Sequence, residues 1–147
     1  SANAAESDSA FLTKAIKGDN SEIALGQLAQ EKANNASVKS FGQVLVNDHT
    51  NAKQQAVAVA KDLKVPVPGA MLPEAKDEQA KLQNLSGSAF DKEFVDYMVK
   101  DHKKDVSDFR NEASNASQSE VAQLAKKTLP TLERHLSIAE QLKTQVE

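Results

Sequence analysis

Apolar residues recur every three or four positions in four long stretches of this 147-residue chain, and that spacing leaves few folds open. Such a stripe lies on one face of an α-helix, and a helix with one apolar face must bury it against a neighbour. The first stretch, about Asp8 to Ala33, carries Phe11, Ala15, Gly18, Leu25 and Ala29. The second, about Ser37 to Leu63, carries Val38, Phe41, Leu45, Ala52, Ala56 and Val59. The third begins after Ser88 and turns Phe94 or Val95, Met98, Val106 and Phe109 inward, while the fourth contributes Val121, Leu124, Leu132, Ala139, Leu142 and Val146. Ser88 with Asp91, and Ser117 with Glu120, have capping-box spacing and mark the starts of the last two helices. Pro130 falls inside the fourth, where a kink is expected.

The connections decide how these helices are joined. "NNA" and "SNAS" are short enough to make antiparallel hairpins of the first and last pairs. Residues 64–87 are different: "VPVPG" is extended, and Pro73 opens a short helix from about Glu74 to Leu85. Roughly 23 residues can travel the ~40 Å length of a long helix. The expected fold is all-α: a ferritin-like four-helix bundle with one long crossover, holding a short extra helix between the second and third long helices. An up-down-up-down bundle with an ornamented loop is the alternative. A single domain over 8–147 follows a flexible segment at 1–7.

Composition removes several functions. A net charge of −3 with interspersed signs does not make a polyanion-binding surface, so no nucleic-acid partner is expected. The absence of cysteine excludes disulfides, thiolate metal sites and a Cys nucleophile. No apolar run reaches the 18 or so residues of a membrane span. The opening "SANAAESDSA" suits a chain that follows a signal-peptidase cut, and suits a trimmed terminus equally well.

The informative residues are ionisable groups on the inward stripes. Glu22 stands in register with Gly18, Leu25 and Ala29; His49 with Leu45, Ala52 and Ala56; His102 with Met98, Val106 and Phe109; His135 with Leu132, Ala139 and Leu142. Each helix thus offers one potential ligand, and these three are all the histidines in the chain. Counted from their turn, Glu22 and His49 fall at one height, whereas His102 and His135 differ by about one helical turn. A buried carboxylate and buried imidazoles all need partners, and one cation shared among Glu22, His49, His102 and His135 supplies them together. Imidazole and carboxylate suit zinc, iron, manganese or copper; zinc is favoured, with iron or copper behind it. A metal-free network, with Glu22 paired to protonated histidine, competes with that reading.

Two of the histidines follow an aspartate, in "VNDHT" and "VKDHK". Asp48 and Asp101 lie about 100° around the helix from His49 and His102, so they support a neighbouring imidazole or face solvent. Asp105, three residues after His102, shares its face and is a reserve ligand.

The segments "FLTKAIKGDNSEIALGQLAQEKA", "VKSFGQVLVNDHTNA", "FVDYMVKDHKKDVSDF" and "AKKTLPTLERHLSIA" resemble a bacterial ferritin-like domain-of-unknown-function family of exported or outer-membrane-labelled proteins. Glu22, Asp48–His49, Asp101–His102 and Leu129–Pro130 through His135 match its motifs, and the resemblance runs from Phe11 to Leu142. It implies a helical bundle and an exported, periplasmic home, and no particular reaction. Di-iron bundles use paired Glu-x-x-His motifs, but Val46 and Leu132 stand three residues before His49 and His135. A mononuclear Glu/His site is therefore the better match. No nucleophile elbow or phosphate-cradling glycine loop points to an enzyme. The other function open to the chain is a metal-free structural or interaction module of the cell envelope. It would work through "VPVPGAMLPEAKDEQ", where Val65, Val67, Met71 and Leu72 are expected to be exposed.

Overall fold

In the computed structural model the apolar stretches become four long helices: α1 (Ala2–Lys32), α2 (Ala36–Asp62), α4 (Gly87–Asn115) and α5 (Ser119–Val146). A short helix, α3 (Pro73–Gln83), lies between α2 and α4, with Pro73 in its first turn where no N–H is needed. The structure describes residues 2–147, with side chains from Ser7 onward, so the segment 1–7 falls almost wholly outside the described side chains. The described residues are all-α, without a strand.

α1 packs along α2 and α4 along α5, while α2 touches α5 and α1 touches α4. Two apolar clusters fill the interior. One joins Leu25 and Ala29 near the end of α1 to Phe41 and Leu45 early in α2, Phe90 and Phe94 early in α4, and Leu142 late in α5. The other joins Leu12 and Ile16 to Ala56, Ala60, Val121 and Leu124. These memberships make α1 and α5 run one way and α2 and α4 the other. The chain between α2 and α4 must therefore travel the length of the helices.

That connector is fastened to α1. Asn20 Nδ2 donates to Ala70 O at 2.9 Å, Ser21 Oγ accepts from Leu72 N at 3.0 Å, and Lys32 Nζ donates to Gln83 O at 2.7 Å. Its apolar residues are consequently less available than the sequence suggests. Val65 is buried, Met71 and Leu72 pack against the core, and Val67 is the one that stays exposed.

The two expected capping boxes are not formed. Ser86 and Gln118 are the N-caps of α4 and α5, and neither makes a side-chain cap. Asp91 instead accepts from the backbone N–H groups of Asn34 and Asn35, at 2.9 and 2.8 Å, and so ties down the α1–α2 turn. Asp8 does the same for the α4–α5 turn, accepting from Ser117 N and Gln118 N at 3.2 and 2.7 Å. Each turn is thus secured by a carboxylate from the opposite hairpin. α5 continues through Pro130, which is exposed, so the carbonyl that loses its N–H donor lies toward water.

Gly26 and Gly42 bring α1 and α2 unusually close. A Cβ on Gly26 would stand 2.8 Å from Gly42 O, and one on Gly42 would stand 2.7 Å from Gly26 O. This contact lies just beyond Glu22 and holds α1 against α2 at the approach to the interior polar residues.

Candidate metal centre

Between the two apolar clusters the four helices turn polar side chains toward one another. Glu22 from α1, His49 from α2, His102 from α4 and His135 from α5 are all essentially inaccessible to solvent. The imidazole centroids are 5.9 Å apart for His49–His102, 5.1 Å for His49–His135 and 5.3 Å for His102–His135. One ring nitrogen from each falls within 4.8 Å of the other two. The mismatch in height expected between His102 and His135 is absorbed by side-chain direction. Cβ bonds lean toward a helix's N-terminus, and because α4 and α5 are antiparallel the two imidazoles lean toward each other.

Each ring is held by one nitrogen. His102 Nδ1 lies 2.9 Å from Met98 O, and since a carbonyl can only accept, Nδ1 carries the proton. His49 Nδ1 lies 2.8 Å from Asp19 Oδ1, and His135 Nε2 lies 2.8 Å from Asp48 Oδ2, so a carboxylate orients each of these rings. Arg134 approaches Asp48 Oδ2 at 3.6 Å and adds a cation to the outer side of that pair. The second nitrogens, His49 Nε2, His102 Nε2 and His135 Nδ1, are buried without a hydrogen-bond partner. Three lone pairs are thereby left in the interior.

The acidic side of the site has a matching shortage of donors. Glu22 Oε1 and Oε2 are both buried without a donor, and Oε1 lies 3.7 Å from His102 Nε2, beyond a good hydrogen bond. Glu22, Asp101 and His102 form a second group whose potential ligand atoms lie within 4.8 Å of one another. Burial, reinforced by the charge of Asp101, by a hydrogen bond shared with it and by the charges of Asp105 and Asp19, pushes the Glu22 carboxyl well above the usual range. Burial also raises Asp101 and Asp19 and pushes Asp105 well up, although the His49 contact pulls Asp19 partly back. Either a proton between Glu22 and Asp101 or a cation beside them is needed to relieve this crowding. The histidines respond oppositely. Burial, then repulsion from His49 and His135, holds His102 well below its ordinary value, and burial with His49 brings His135 down to about 4.

Of the sequence-derived residues, His49, His102 and His135 share one cluster and Glu22 joins it through His102. Asp48 reaches across from α2 to the imidazole on α5. Asp101 sits half-buried beside Glu22 rather than out in solvent. Asp105 belongs to neither three-residue group and lies with His49 and Asp19 along an adjoining cavity.

Residues 1–142 match the family described as a domain of unknown function, DUF4142. The chain belongs to the DUF4142 family. Two solved structures share the fold of this DUF4142 chain. One is the crystal structure of a DUF305 fragment from Deinococcus radiodurans, at 16% sequence identity and a TM-score of 0.82, covering 94% of this chain and 95% of that one. The other is CopM in its Cu(II)-bound form, at 18% identity and a TM-score of 0.80, covering 95% of this chain and 97% of that one. No curated protein matches the sequence.

Asp19 is the member of this polar cluster that sequence reasoning missed in this DUF4142 chain. Its signal was present, because Asp19 lies three residues before Glu22 and so shares the inward face of α1. What the periodicity could not supply was its partner, His49, on another helix.

Proposed function

We propose that the protein binds one divalent transition-metal ion in its interior through His49, His102 and His135, with Glu22 as the fourth ligand. The observation that carries this reading is the pairing pattern. Every imidazole has one nitrogen fixed by a protein acceptor and the other buried without a partner, and the buried carboxylate beside them also lacks a donor. A metal-bound histidine is ordinarily held in this way, its far N–H donated to a carboxylate or carbonyl that fixes ring and tautomer. The metal-free alternative, Glu22 paired with protonated His102, is opposed by the 3.7 Å separation and by the burial that keeps His102 neutral.

Three imidazoles and a carboxylate suit both zinc and copper. The residues alone favour zinc. The affinity order of divalent ions places Cu(II) higher, and the shared fold with a protein solved in its Cu(II)-bound form supports placing copper first. Iron is a weaker choice without bridging carboxylates in the Glu-x-x-His pattern. The same reading includes a ferritin-like arrangement of the four long helices and an exported home, the latter carried by the family resemblance. Binding and holding an ion is the activity that the donor set supports.

Protein prepared without a histidine tag, loaded with excess Cu(II) or Zn(II) and desalted, is expected to retain one ion per chain. The Cu(II) electron paramagnetic resonance spectrum should show coupling to imidazole nitrogens. His49→Ala and His102→Ala should each abolish stoichiometric retention, and full metal content in both variants overturns the assignment.

A further inference from the structure

The proposed ligands are buried almost completely, yet a cavity of about 280 Å³ reaches one of them, His49, from the side. Its inner wall includes His49 and Asp19, the hydrogen-bonded pair on the rim of the three-histidine cluster. Its outer part is bounded by Lys14, Asp108 and the edge-packed rings of Phe11 and Phe109, whose centroids are 4.9 Å apart. The second cleft in the structure, between α4 and α5, touches none of the proposed ligands.

The sequence pattern makes this cavity more than a packing flaw. Phe11, Ala15, Gly18, Ala52 and Phe109 all stand on inward stripes, yet each is only half-buried because each faces this space. Small residues at 15, 18 and 52 keep it open where larger ones would fill it.

Its charge is one-sided. Asp108 stands toward the outside, Glu112 is buried in the lining, and Asp105 and Asp19 line the cavity with His49. Lys14 is the cation lining the cavity, and Asp108 neutralises it at 3.3 Å. Glu112, Asp105 and Asp19 are left to favour a positively charged occupant.

We propose that this cavity is the route by which a divalent metal ion enters and leaves the interior site, passing from Asp108 and Glu112 to Asp105 and Asp19 before His49. The inference rests on the metal-binding reading above and adds its kinetics. An ion that has shed part of its water finds carboxylate oxygens along the wall, and Asp19, paired with His49, is the last of them before the three imidazoles.

Filling the cavity should slow exchange without changing the bound state, since Ala52 supplies no proposed ligand atom. Stopped-flow absorbance with Cu(II), and release of Cu(II) to excess EDTA, are the two measurements. Ala52→Phe is expected to slow uptake and release alike by about tenfold or more, with stoichiometry and competition-determined affinity retained. Asp108→Asn with Glu112→Gln adds no bulk and covers the case in which Ala52→Phe does not fold. That pair should slow uptake several-fold at low ionic strength, with the difference vanishing in high salt. Wild-type protein that binds Cu(II) while both variants load at its rate overturns the route and leaves the metal site standing. Wild-type protein that binds neither Cu(II) nor Zn(II) overturns both.

Discussion

Asp48 on α2 grips the Nε2 atom of His135 on α5 at 2.8 Å, so the imidazole of one hairpin is aimed by a carboxylate of the other. This contact leaves His135 Nδ1, the nitrogen without a partner, as the atom available to an ion. Asp48 is expected to act through His135 rather than by touching the metal. Asp48→Ala should therefore weaken Cu(II) affinity by about tenfold to a hundredfold, the usual cost of losing an outer hydrogen-bond partner, while retaining one ion per chain. Chelator competition measures the first quantity and elemental analysis the second. Unchanged affinity would show that the ring is aimed by packing against Phe41, 6.2 Å away between centroids, instead.

How much of this was legible depended on the range of the interaction. Helical phase is a local property, so the inward positions of Glu22, His49, His102 and His135 could be read from their own neighbours. Asp91 and Asp8 could not, because they secure turns 56 and 110 residues away in the chain. The two expected capping boxes failed for this reason: Asp91 is drawn away to the α1–α2 turn, and Asp8 holds the α4–α5 turn in place of Ser117 and Glu120. In α1 the phase was read one residue off along its first half, where Leu12 and Ile16 are wholly buried and Phe11, Ala15 and Gly18 border the cavity. A helix touched by neighbours on several sides buries a broad arc, and periodicity alone does not say which part of that arc meets an empty space.

In the metal-free protein His135 and Glu22 should pull stability in opposite directions as pH changes. An unfolded histidine titrates near 6.5, whereas His135 is held down to about 4, so below pH 6.5 the unfolded chain binds the extra proton and stability falls as pH drops toward 4. Across that window the loss from His135 alone is about 3 kcal/mol. Glu22 has the opposite sign: its raised folded value gives stability that is present below its unfolded value and is lost as pH rises through the raised one. Urea midpoints measured from pH 4 to 9 should rise as His135 loses its proton, and Glu22→Gln should steepen the rise by removing the opposing contribution. A Glu22→Gln variant whose midpoints follow the wild-type dependence on pH would rule out the buried-carboxylate part of this account.

A metal at a hundred times its dissociation constant should stabilise the fold by about 2.7 kcal/mol, since the unfolded chain has no assembled site. For a chain of this length that corresponds to a rise in melting temperature of very roughly 5–10 °C. EDTA should reverse it, and His102→Ala should abolish it. A shift of equal size in His102→Ala would place the ion elsewhere.

Close contact between α1 and α2 predicts a further contrast among glycines. Alanine at position 26 or 42 sets a methyl group within 3 Å of a backbone carbonyl on the opposite helix, which flexible side chains cannot relieve. Either substitution should cost about 1–3 kcal/mol as the helices separate. Gly69→Ala is the control, because a Cβ there meets nothing within 4 Å. Chemical denaturation of the three variants distinguishes them; a Gly26→Ala protein as stable as Gly69→Ala would show that the helices slide apart at little cost.

The docking of α3 onto α4 carries its own dependence on pH, away from the proposed metal centre. Burial, the hydrogen bond with Glu93 and that residue's charge push Glu78 up to about 7, while the hydrogen bonds from Glu78 and Lys81 hold Glu93 below its ordinary value. Below about pH 7 the proton is therefore kept on Glu78 and the negative charge on Glu93, which Lys81 meets at 3.1 Å. Because unfolded Glu78 titrates near 4.5, its contribution is fully present below that pH and is lost as pH rises through about 7. Glu78 is partly exposed and solvent screens the pair, so the change should stay below about 1 kcal/mol and be felt locally rather than in global unfolding. Amide exchange in α3, corrected for its intrinsic dependence on pH, should show protection declining between pH 5.5 and 8.5. Glu78→Gln, which can still donate to Glu93 but cannot titrate, should flatten that decline; an equal decline in the variant would mean that the shared proton does not hold α3 in place.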